Sequence, residues 1–144
     1  MASEDIHVGS LTIRFLVEGE DSNGSSAIFE VELPAGSNVP APDSHDAYEE
    51  TMYGLEGTVT WTVEGTHHSV GPGQHVCIKR GEVHAFVNDS GEFAKQLGVI
   101  TPAAIGPQFF RDMAEVVNAG QPPDRAAIGA VMRRHGLTPA APPA

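Results

Sequence analysis

Apolar residues recur at every second position through much of the first hundred residues. Leu11, Ile13, Phe15 and Val17 share one face of a stretch, and Phe29, Val31 and Leu33 repeat the pattern against outward Glu30 and Glu32. A period of two with one apolar face predicts half-buried strands from Leu11 to Val17 and from Ala27 to Leu33. The polar run from Glu18 to Ser26, with Asn23-Gly24 inside it, turns the chain between them. Pro34, Gly36, Pro40 and Pro42 interrupt any regular element, so the segment ahead of His45 is expected to be an ordered loop or a sheet edge. From Glu50 to Val63 the chain is strand-like again, with Gly54 and Gly57 marking a bend or a close approach, and Glu64-Gly65 signals a hairpin. His75 to Lys79, Val83 to Val87 and Lys95 to Ile100 read as further short strands between Gly-containing turns. Strands at about ten-residue spacing, with no helical pattern between them, predict an all-β antiparallel sandwich or barrel.

The period changes after Thr101-Pro102. Phe109, Phe110, Met113 and Val117 recur at helical spacing until Gly120, and Asp124 caps a second segment with Ile128, Val131 and Met132 on one stripe and Gly136 at its end. The apolar faces of two such helices must be buried against the sheet, over a barrel mouth or on another subunit. The expected organisation of the 144 residues is therefore one domain, with a barrel over 1–103, a helical extension over 104–136 and a disordered Pro- and Ala-rich tail over 137–144.

Charge narrows the possible partners. With 19 Asp and Glu against 8 Lys and Arg, the net charge of -11 opposes phosphate backbones and anionic lipid surfaces, so no nucleic-acid or membrane partner is expected. No apolar run approaches the roughly 20 residues of a membrane span, and the first residues are acidic where a signal peptide would be basic. The single Cys77 excludes an intramolecular disulfide. A cytoplasmic protein is expected.

The candidate chemistry lies in two stretches, Gly36 to Gly57 and Gly71 to Asn88. Glu50, Met52 and Gly54 share one strand face, and His84, Phe86 and Asn88 share another; if both point inward, Glu50 and His84 can meet inside a barrel. His45, five residues before Glu50, can fold back to the same point. Two imidazoles and a carboxylate suit non-haem iron and can also hold zinc, manganese or nickel. Glu49 points to the opposite face from Glu50. Asn88 reads as a turn former, His67 and His68 as exposed hairpin residues, His7 as a terminal residue and His135 as a helix-end residue, while His75 reads as sheet packing. Tyr48, Met52, Trp61, Phe86 and Phe109 are candidates to line a substrate pocket or simply to fill the core.

These stretches resemble the paired motifs of the cupins. Glu50-Thr-Met-Tyr-Gly-Leu-Glu-Gly57 and Arg80-Gly-Glu-Val-His-Ala-Phe86 are particularly like the small single-domain cupins related to quercetinases, as is the two-helix extension after the Thr-Pro step. The resemblance implies a double-stranded β-helix, a jelly-roll barrel with C-terminal helices, and one divalent metal ion (Fe, Ni, Mn or Zn) on His45, Glu50 and His84. It also implies dioxygenase chemistry on an aromatic or enolisable small molecule, with Glu50 doubling as proton acceptor. Two positions depart from the pattern. Asp43 stands where the family has its first histidine, either as an oxygen ligand or as a group that fixes His45 or the substrate; Lys79 replaces a proline. The alternatives are a non-catalytic binding cupin with a degenerate site and a metal-assisted isomerase or cyclase. A homodimer is expected because such barrels leave sheet edges to cover.

Overall fold

The computed structural model describes residues 4–39 and 41–140. Among them are eleven strands and two helices. The strands are β1 (Ile6–Val8), β2 (Leu11–Val17), β3 (Ala27–Leu33), β4 (Asp43–His45), β5 (Glu49–Glu56), β6 (Val59–Val63), β7 (Thr66–Val70), β8 (His75–Ile78), β9 (His84–Val87), β10 (Ala94–Thr101) and β11 (Leu137–Pro139); the helices are α1 (Pro107–Val117) and α2 (Arg125–Arg134). They form a six-stranded sheet in the order β1-β2-β3-β10-β5-β8 and a five-stranded sheet in the order β11-β4-β9-β6-β7. All of the strand pairings are antiparallel. This is the two-sheet β jelly roll that the alternation predicts, and the inward residues of both sheets make one core.

The turns are where the sequence places them. Glu64 and Gly65 both have positive φ, 48° and 79°, which is the backbone a two-residue hairpin needs between β6 and β7. Gly54 is a close approach: a Cβ there would meet the Gly71 carbonyl oxygen at 2.0 Å, so β5 can pass the turn between β7 and β8 only without a side chain. Inside the barrel, Gln96 is one of a few polar side chains among apolar ones. It is fully buried, accepts from Trp61 Nε1 at 2.9 Å and donates to the Val70 carbonyl at 3.2 Å, so both ends of its amide are satisfied.

Three elements differ from expectation. The segment before His45 is a three-residue strand in the interior of the five-stranded sheet. The tail expected to be disordered over 137–144 instead forms β11 over Leu137–Pro139, pairing Leu137 with His45 and Pro139 with Asp43; residues 141–144 lie outside the described residues. Pro139 is tolerated because β11 is an edge strand, where a missing N–H breaks no ladder. The third is β1, whose three residues are too few to show a period.

The helices settle over one end of the jelly roll. Phe110 of α1 joins Phe15 and Phe29 with ring centroids 5.6–5.7 Å away, while Phe109, Met113 and Val117 are buried beside it. Asp124 caps α2 by accepting from the Ala126 and Ala127 amides, and Ile128, Val131 and Met132 form its buried stripe, as the spacing predicts. At the far end of α2, His135 Nε2 lies 2.8 Å from Asp112 Oδ2 and ties the two helices together. No helix among the described residues is long and apolar enough to cross a membrane.

Candidate metal centre

The site is assembled across both sheets. β4 contributes Asp43 and His45, β9 contributes His84 directly opposite Asp43, and β5 of the other sheet contributes Glu50. The odd-numbered alternation on β4 puts Asp43 and His45 inward with Ser44 between them. On β5 the alternation puts Glu50 and Met52 inward, whereas Glu49 faces out and receives a hydrogen bond from Arg80 at 3.0 Å.

His45 Nε2 lies 3.3 Å from Glu50 Oε1, His84 Nε2 lies 3.7 Å from the same oxygen, and one atom from each of the three residues falls within 4.8 Å of the others. Two ligands about 2.1 Å from one ion, at right angles, are about 3 Å apart, so this spacing needs only small adjustments to close on a metal. The fourth group, Asp43, has its Oδ1 3.7 Å from His84 Nε2.

The other ring nitrogens decide what this cluster can hold. His45 Nδ1 is 3.0 Å from the Tyr48 carbonyl, and His84 Nδ1 is 3.0 Å from the Glu82 carbonyl. A carbonyl only accepts, so each Nδ1 carries the hydrogen and each neutral ring turns the lone pair of Nε2 inward. In neutral rings two lone pairs and a carboxylate oxygen then face one another, at 3.3 Å between His45 Nε2 and Glu50 Oε1. A positive charge in the gap satisfies this set, either a proton that His45 Nε2 donates to Glu50 or a divalent cation in its place.

The electrostatics agree. Burial would lower the His45 pKa, but the hydrogen bond and charge of Glu50, with the Tyr48 carbonyl, outweigh it and hold the imidazole above its ordinary value. Burial pushes Asp43 up to about 6, against the pull of His84 and with the repulsion of Glu50. Tyr48 stacks on His45 with centroids 3.8 Å apart and fixes the ring in plane; burial, with the charges of Glu50 and Asp43, raises its phenol so that it stays protonated.

Three supports come from turns. The Gly81 amide donates to the His45 carbonyl at 2.9 Å and joins the β8–β9 turn to β4. Gly81 has φ of 80°, a conformation glycine takes without strain. Where a proline is expected, the Lys79 amide donates to Glu82 Oε1 at 2.7 Å, a bond proline could not make. Asn88 is buried and donates to the Leu33 and Glu92 carbonyls, which makes it an organiser of its turn.

A cavity of about 100 Å³ opens beside the cluster. Tyr48, Trp61, Phe86 and Phe109 line it as anticipated, together with Asp43, Glu50 and His84. Met52 lies instead on an adjoining pocket that shares Glu50 in its wall. Phe110, Met113, Met132 and Leu137 also form the wall; their helical and terminal positions gave no sign of what they would cover. The other histidines stand apart. His7, His67 and His68 are exposed, and His75, expected in sheet packing, is exposed on the outer face with Cys77.

Comparison with known proteins gives a consistent picture. The family profile described as "Cupin domain" matches residues 29–100. A quercetin 2,3-dioxygenase of Bacillus subtilis is 28% identical over 102 residues, which are 71% of this chain and 29% of that protein. The chain thus spans under a third of that relative's length. Among solved structures, a predicted oxalate decarboxylase from Thermotoga maritima superposes with a TM-score of 0.64 at 22% identity, covering 71% of this chain and 93% of that one. KdgF from Halomonas sp. superposes with a TM-score of 0.60 at 15% identity, covering 71% and 86% respectively. These two show a shared fold.

Proposed function

The chain belongs to the cupin domain family, and from that membership we propose a metal-dependent cupin of the quercetinase type that acts on a small aromatic or enolisable molecule. The observation that carries the proposal is the convergence of two orientation-locked Nε2 atoms and the Glu50 carboxylate on one point beside a cavity. His45, His84 and Glu50 would hold the ion, with Asp43 as a fourth ligand through oxygen. A divalent iron, nickel, manganese or zinc ion supplies Lewis-acid polarisation and, where it is redox-active, electron transfer to an oxidant. The similarity to a quercetin dioxygenase supports the oxygen-dependent version of this chemistry.

The chain's own groups supply the rest. Glu50 lines the cavity as well as the cluster, so its carboxylate can accept a proton from a substrate C–H or O–H placed there. The apolar wall of Trp61, Phe86 and Phe109 keeps water from solvating that carboxylate and positions a flat substrate by stacking. Tyr48 and the two carbonyls hold the imidazoles still, so no reorientation is needed when substrate arrives.

Elemental analysis of protein purified without chelator or tag metal, beside His84→Ala, tests the reading. Near-stoichiometric metal in the wild type and its loss in the variant are expected, with oxygen uptake on an enolisable substrate abolished by Glu50→Gln. Protein that takes up no metal even after loading would overturn it. Asp43 favours a second reading, a binding cupin without catalysis, because a buried carboxylate in place of an imidazole suits softer metals less well. Ligand binding by metal-free protein without turnover would support that reading; turnover without oxygen uptake would indicate an isomerase or cyclase.

A further inference from the structure

Two adjoining cavities flank Glu50. One, of about 100 Å³, lies on the metal-centre side beneath Phe109, Met113 and Met132. The other, of about 80 Å³, is lined by Val31, Leu33 and Met52. Glu50, Trp61, Phe86 and Phe110 belong to both walls.

Size is the first restriction. Pockets that take drug-sized ligands measure about 300–1,000 Å³, well above either cavity. At roughly 10–15 Å³ for each water-sized group, the outer cavity has room for about seven to ten of them. That is one ring with its substituents. The rigid, branched ring system of a flavonol exceeds the room in either cavity alone.

Charge is the second. The ionisable side chains in these walls are Asp43, Tyr48, Glu50 and His84, and no Lys or Arg lines either cavity. A divalent ion held by the cluster would already be matched by the two carboxylates. A carboxylate or phosphate entering the apolar cavity would find no counter-charge there, and unpaired charge in a dry site is strongly disfavoured. The net charge of -11 opposes its approach as well.

We infer that this site selects a neutral, single-ring, weakly acidic hydroxyketone or phenol and excludes both anions and flavonol-sized molecules. The inference rests on the reading of the cavity as the substrate site of a metal-dependent cupin. It goes beyond that reading by fixing the substrate's size and charge.

Trp61 is the chain's one tryptophan and lines both cavities, so its fluorescence reports their filling directly. The probes are maltol, a neutral single-ring hydroxyketone; picolinate, an anion of similar size that also chelates; and quercetin, each titrated into metal-free and metal-loaded protein with calorimetry alongside. Saturable binding of maltol is expected, at least about tenfold tighter than picolinate, a difference of roughly 1.4 kcal/mol, with no saturable binding of quercetin. Met113→Ala, or Met132→Ala if the first fails to fold, should enlarge the outer cavity and admit quercetin. Quercetin or picolinate binding as tightly as maltol, or no saturable binding of maltol, would overturn the inference. The two readings fail separately. Maltol binding to a protein that never takes up metal leaves the inference standing and removes the metal-dependent one. A metal-loaded protein that prefers quercetin does the reverse.

Discussion

Gln96 shows how much a single buried polar side chain can organise. Its amide engages the indole N–H of Trp61 and the Val70 carbonyl, and so fixes an aromatic ring that lines both cavities. Replacing it with leucine keeps the volume but orphans a donor and an acceptor. Gln96→Leu is therefore expected to lower stability by about 1–3 kcal/mol in urea unfolding, with a shifted Trp61 emission maximum in the folded state. An unchanged midpoint and spectrum would refute this role. The sequence did not disclose Gln96, because one polar residue at an inward strand position looks like an irregularity until its partners are known. His45, Glu50 and His84 were legible for the opposite reason: their residue types and spacing carry the chemistry even before the strands are aligned. The departure at Asp43 was legible as well, but not its distance from His84, which depends on the pairing of β4 with β9.

At the scale of elements, the alternation over β2, β3, β6 and β10 translated directly into buried and exposed faces, because each strand has one face in the core. What failed were the short pieces. β1, β4 and β11 have three residues each, too few for a period, and β4 and β11 sit among prolines that argue against strand. The helices were legible as amphipathic segments. Their destination was not, since a stripe of apolar residues does not say what it covers. Here it covers the cavity, and α1 depends on a tight fit beneath it. A Cβ at Gly98 on β10 would come within 2.4 Å of the Phe29 ring, which itself packs on Phe110 of α1. Gly98→Ala is expected to destabilise by about 1–3 kcal/mol through this overpacking, and Phe29→Leu in the same chain to recover part of the loss. A double-mutant cycle on thermal unfolding would check it; strict additivity would show that the two positions do not compete for space.

At the scale of the whole molecule, the cluster joins the two sheets. Asp43, His45 and His84 belong to the five-stranded sheet and Glu50 to the six-stranded one, so an ion held between them acts as a cross-link through the middle of the jelly roll. Ligand binding to the folded state alone stabilises it by about 2.7 kcal/mol at a hundredfold excess over Kd, which for a domain of this size raises Tm by about 5–11 °C. Calorimetric scans with and without added metal should show this rise in the wild type and not in His84→Ala. A rise of equal size in both would place the ion elsewhere.

The pairing of β11 with β4 also has a consequence in time. The strand carrying Asp43 and His45 leaves the ribosome long before Leu137, and at about 5–20 residues per second several seconds separate the two. During that interval β4 can find β9, but its other edge has no partner within the chain. The nascent protein then holds every side chain of the cluster and not yet the strand that keeps two of them in register. Completion of the cluster's strand framework thereby waits until Leu137 has emerged and paired with His45.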